Sequence, residues 1–201
     1  MNSSQSNGPT RDSLNGSIDI NQILIAEFEY AASTASQNNE DRARVTSFFF
    51  VAVGSLAAAI FGADSIVDSD NIGVRWAFVV LFSILSAVGL LTVAQLSKLR
   101  KAWFDSVETM NRIKDFYVSY SGHQEIDQAF RWKTLPPLVK LRSVSFILVL
   151  EVSLLSGAML GSAVIFFGLA SSDEYLWTCA LVFGALFVSL SLLIYVASTR
   201  K

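Results

Sequence analysis

Four stretches of this chain run for the length of a bilayer crossing with almost no charge. Positions 45–63 hold 19 residues, 76–97 hold 22 and 175–199 hold 25, all uncharged, and 143–172 hold 30 with Glu151 as the one charge. A helix needs about 20 mostly apolar residues to cross a hydrocarbon core of roughly 30 Å. Lipid offers no partner for backbone N–H and C=O groups, so each run must satisfy its own as a helix. Core helices of a soluble protein keep a polar face toward water, and these four runs leave none. Only 16% of the 201 residues are charged, against about 25% in a typical soluble domain, and the mean hydropathy is +0.47. The expected fold is an all-α, polytopic membrane protein with four transmembrane helices as two hairpins plus cytoplasmic amphipathic helices.

The distribution of Lys and Arg sets the expected orientation. Arg42 and Arg44 precede the first run, Lys98, Arg100 and Lys101 follow the second, and Lys140 and Arg142 precede the third. Arg200 and Lys201 follow the fourth. The connectors on the other side carry Asp64, Asp68 and Asp70 with Arg75, and Asp173 with Glu174. Every basic cluster therefore falls on one side. The pattern predicts a multi-pass protein of the cell (inner) membrane with both termini in the cytoplasm. Trp76, Tyr175 and Trp177 would anchor the outer ends and Tyr195 an inner one. The first 17 residues are polar, without the apolar centre of a signal peptide, and read as a disordered tail.

The segments between follow from helical spacing. Positions 18–44 read as a cytoplasmic amphipathic helix: Asp19 is a candidate N-cap with Gln22 three residues on, and Ile20, Leu24, Phe28, Ala31 and Ala35 form its apolar stripe. The first hairpin then covers 45–97. The helical connector covers 98–142, where Leu99, Trp103, Val107, Met110, Ile113, Tyr117 and Tyr120 make a second stripe. A shorter segment, 124–132, ends at Trp132, and Pro136-Pro137 breaks the chain before the second hairpin, 143–199. The two stripes can pack on each other, lie in the headgroup region or hold another chain. Trp103, Met110, Tyr117 and Trp132 are the candidates for docking a protein partner.

Within the spans, small residues recur every four positions. Gly54, Ala58 and Gly62 do so in the first span, and Ser153, Gly157 and Gly161 in the third. Such rows let helix backbones approach and gain dispersion contacts that lipid does not replace. They serve either the packing of one subunit or the contact between subunits. Glu151 is costly at mid-bilayer and should face protein, water or the headgroups, and Gln95 is a polar partner at similar depth.

One His and one Cys leave no set of zinc ligands, and His123 with Asp127 lacks a third member. Cys179 within the fourth span reads as inert. No nucleophile elbow, P-loop, metalloprotease or dinucleotide pattern occurs. No catalytic residue, cofactor or metal is expected. A net charge of -2 argues against nucleic acid as a partner.

Three stretches carry a resemblance. They are Glu29-Tyr30-Ala31 with Asp41-Arg42-Ala43-Arg44, then Trp103-Phe104-Asp105 with Met110-Asn111-Arg112-Ile113-Lys114-Asp115-Phe116-Tyr117, then Ala129-Phe130-Arg131-Trp132. Together they resemble a family of uncharacterised bacterial four-span membrane proteins. The layout of the N-terminal half is also similar to SLATT-type two-transmembrane effector domains. That resemblance implies self-association and membrane pores in nucleotide-signalled defence. The expected function is thus a non-enzymatic membrane protein that forms homo-oligomers and acts as a pore-forming or membrane-signalling effector. The alternative is an accessory or scaffold subunit that docks a cytoplasmic or membrane partner through its connector.

Overall fold

The computed structural model describes residues 19–63, 71–121, 130, 143–171 and 176–199. They form four helices: α1 (Ile20–Ala63), α2 (Ile72–Ser121), α3 (Val144–Ser171) and α4 (Leu176–Thr199). Each is long and apolar enough to cross a membrane, and the described residues contain no strand. Residues 1–17, the 124–132 segment apart from Phe130 but with Trp132, and Pro136-Pro137 lie outside the described residues.

Three helices begin on side-chain caps. The Asp19 carboxylate accepts from the Asn21 N–H at 3.0 Å, as its position in the sequence leads one to expect. Asn71 Oδ1 accepts from Gly73 N–H at 2.8 Å, and Ser143 Oγ from Phe146 N–H at 3.3 Å. Each cap satisfies one of the N–H groups that a helix start leaves without a partner. At the other end of α3, the Arg75 guanidinium donates to the Leu169 carbonyl at 2.7 Å.

The helical spacing of the sequence continues past 44/45 and past 97/98, and α1 and α2 each run through as one helix of 44 and 50 residues. No Gly or Pro occurs between Ile20 and Val53, or between Leu90 and Ser121, so nothing in the backbone forces a break there. At about 1.5 Å per residue, each helix is roughly twice the thickness of a hydrocarbon core.

The outer halves of α1 and α2 pack together, as one of the three uses of their stripes requires. Ala31 and Ala35 are buried on α1 and Ile113 on α2. Tyr117 hydroxyl donates to Asn21 Oδ1 at 3.5 Å, and Lys114 Nζ lies 5.8 Å from the Phe28 ring.

Neighbouring helices run antiparallel. α2 is central and touches the other three; α3 and α4 form a close hairpin; α1 packs on α2 and barely reaches α3. The start of α1, the end of α2, the start of α3 and the end of α4 therefore share one end of the bundle, here the basic end. Phe49, Val53, Val93, Leu96, Val149, Val152 and Tyr195 fill the interior near that end. At the far end Phe166 packs on Phe78 and Phe82 with ring centroids 4.9 and 5.7 Å apart. These features define the class: a polytopic membrane protein built as a four-helix bundle.

Candidate functional site

The two small-residue rows have opposite fates. On α3, Ser153, Gly157 and Gly161 are buried. Gly157 and Gly161 face Gly184 and Ala180 of α4. A Cβ on Gly157 would lie 2.7 Å from Val188 Cγ2 and 2.9 Å from the Gly184 carbonyl oxygen. A Cβ on Gly161 would lie 3.1 Å from the Ala180 carbonyl oxygen. The two backbones touch there, and only a missing side chain permits it. Gly184, which sequence spacing did not single out, is the other half of the contact. Gly89 plays a similar part between α2 and α3, where a Cβ would collide with Ser156.

On α1, Gly54, Ala58 and Gly62 are exposed, and no atom lies within 4 Å of a Cβ on either glycine. The bundle leaves this row unused. The reason is the inward stripe of α1, whose members Ala31, Ala35, Asn38, Arg42, Thr46, Phe49 and Val53 are all buried or half-buried at spacings of three and four. Gly54 is one residue off that stripe, about 100° round the helix.

Glu151 and Gln95 are both exposed. Gly89 sits opposite Ser156, and six residues toward the basic end from each gives Gln95 and Leu150. Glu151 and Gln95 thus share a depth but not a face. Gln95 lines a groove between α1 and α2 with Arg44 and Phe48, whereas Glu151 follows the outward stripe of Val144, Ile147, Leu154 and Ala158 on α3. Glu151→Gln should therefore leave the thermal midpoint of the purified protein within about 2 °C of the parent. A larger fall would show that the carboxylate holds the subunit together.

Trp103, Met110 and Tyr117 are half-buried on α2. Tyr117 is engaged by α1, and the Arg100 guanidinium lies over the Trp103 ring at 4.7 Å. Cys179 is exposed on the outer face of α4. Among the described residues no three His, Cys, Asp or Glu side chains converge on one point.

The basic end of the bundle holds a polar cluster that sequence reasoning missed. Each helix contributes one member: Arg42 from α1, Arg100 from α2, Ser145 from α3 and Tyr195 from α4. Arg100 is 6% exposed and Tyr195 0%, so Tyr195 lies inside the bundle and is not the interfacial anchor expected of it. An Arg42 N–H donates to Ser145 Oγ, and Arg42 Nε donates to the Asn38 carbonyl at 3.4 Å. Arg42 is half-buried; burial first and the Arg100 charge second lower its pKa from the ordinary arginine value. Spacing holds the signal that was missed. Val93, Leu96 and Arg100 continue one stripe on α2, as Arg42, Thr46, Phe49 and Val53 do on α1.

No family model, curated protein or solved structure shows a significant match to the chain.

Proposed function

We propose that this protein associates with copies of itself in the inner membrane and acts there without enzymatic chemistry, as a pore-forming or signalling effector. Both termini, the N-terminal half of α1 and the C-terminal half of α2 then lie in the cytoplasm, with the basic clusters. The observation that carries this reading is the exposed row of Gly54, Ala58 and Gly62, a helix-contact surface that one subunit does not use. α1 is also the peripheral helix, so a second copy can reach it without disturbing the bundle. The interior of one bundle is filled by Phe49, Val93, Val149, Val152 and Tyr195. A conducting path would therefore run between subunits.

The test is the mass of the full chain in mild detergent. The parent should run as an oligomer. Gly54→Leu with Ala58→Leu should run as a folded monomer, because a Cβ on Gly54 meets nothing within 4 Å and Ala58 is exposed. A parent that is monomeric in detergent and in vesicles would end the proposal. Depolarisation of cells on expression, lost in the same double variant, would support a pore over a signalling role.

A second reading, a scaffold subunit that docks a protein partner, is favoured by a different surface. Tyr30, Phe116 and Tyr120 are 68%, 45% and 82% exposed on the outer halves of α1 and α2, and the rings of Phe116 and Tyr120 stack at 6.0 Å. Stable co-purification of a partner, lost in Phe116→Ser with Tyr120→Ser, would favour it.

A further inference from the structure

The cluster at the basic end contains donors without acceptors. Arg100 Nε and the Tyr195 hydroxyl are buried and have no hydrogen-bond partner. Arg100 and Tyr195 are 6% and 0% exposed. Arg42 reaches Ser145, whose neighbour Phe146 packs on Tyr195 with ring centroids 6.2 Å apart, and Arg42, Arg100 and Tyr195 interact electrostatically. Among the described residues no carboxylate forms an ion pair with either guanidinium; Asp41 pairs with Arg44 instead, at 3.6 Å. The Trp103 ring compensates part of the Arg100 charge but accepts none of its in-plane N–H bonds.

Two like charges, one buried and one half-buried, beside two unmet buried donors are costly unless an anion joins them. The donor set describes that anion. It must offer several oxygen acceptors to planar guanidinium forks, and a phosphate group does so. The cluster also sits where charge first returns beyond the apolar runs: Arg42 and Arg44 before the first, Lys98 and Arg100 after the second, Arg142 before the third. That is the level of lipid phosphates, where basic pockets between spans take anionic headgroups. Arg42, the half-buried member, is the side from which a ligand enters.

We propose that Arg42, Arg100 and Tyr195 form a binding site for one phosphate group, from an anionic lipid headgroup or from a soluble phosphate compound.

The experiment is the thermal midpoint of the full chain purified in an uncharged detergent, in two arms. One arm compares inorganic phosphate with chloride at equal ionic strength. The other compares added phosphatidylglycerol with added phosphatidylcholine. The midpoint should rise by about 5 °C at saturation in at least one arm. A rise with phosphatidylglycerol alone assigns the phosphate to lipid, and a rise with inorganic phosphate assigns it to a soluble source. The rise should vanish in Arg100→Met and in Arg42→Gln and persist in Arg44→Gln. Arg42→Gln, at the half-buried position, carries the test if Arg100→Met does not fold. No rise in either arm, or equal loss of the rise in Arg44→Gln, overturns the proposal.

Discussion

Gly157→Leu is expected to destabilise the bundle by about 3 kcal/mol, the upper part of the range for overpacking a close contact. The side chain must enter where α3 and α4 meet backbone to backbone. Even a Cβ would lie 2.9 Å from the Gly184 carbonyl oxygen and 2.7 Å from Val188 Cγ2. Val188 can turn aside, but the Gly184 carbonyl belongs to a helix backbone and cannot. Relief requires the two helices to separate, which forfeits dispersion contacts along their whole seam. No hydrophobic gain offsets the loss, because a leucine side chain gains little in leaving lipid for protein. Unfolding of the purified protein by a denaturing detergent would measure the effect against Gly54→Leu, where a Cβ meets nothing within 4 Å. Equal midpoints for the two variants would show that the α3–α4 seam is not tight.

Phe49→Ala should be nearly as damaging, at about 2–3 kcal/mol. In soluble cores the change costs about 3–5 kcal/mol, as lost transfer energy plus the cavity left behind. Within a membrane the transfer part shrinks, because the unfolded reference is already in hydrocarbon. The cavity part remains. Phe49 is 0% exposed, packs in the cluster of Val93, Val149 and Tyr195, and lies against the Gly89 backbone. It is also the largest buried side chain by which α1 holds to the rest of the bundle. The adjacent Phe48 is 71% exposed and supplies the control. Phe48→Ala should leave the midpoint unchanged, and equal losses at the two positions would contradict the placement of α1.

The spans were legible from the sequence for a single physical reason. A charge in hydrocarbon is so costly that its absence over 19 to 30 residues marks the crossing directly. The faces of the spans were less legible. Gly54-Ala58-Gly62 and Ser153-Gly157-Gly161 have the same spacing, yet one row is exposed and the other buried. Lipid accepts either face of an apolar helix, so polarity does not tell inward from outward, and the decision falls to larger residues such as Phe49. Arg42 and Arg100 mark orientation through their sign alone. Their place on the inward stripes was equally present in the spacing. Tyr195 misled for a related reason: tyrosine near a span end usually meets water at the interface, but here the stripe of Ser191, Tyr195 and Thr199 turns it inward.

α1 and α2 have no joint between their outer and membrane portions, and they are paired along both. The azimuth of Gly54 and Ala58 is therefore fixed relative to that of Asn21 and Tyr30 by one unbroken helix, so the exposed row cannot turn about the α1 axis without the N-terminal half of α1, and its contact with Tyr117, turning too.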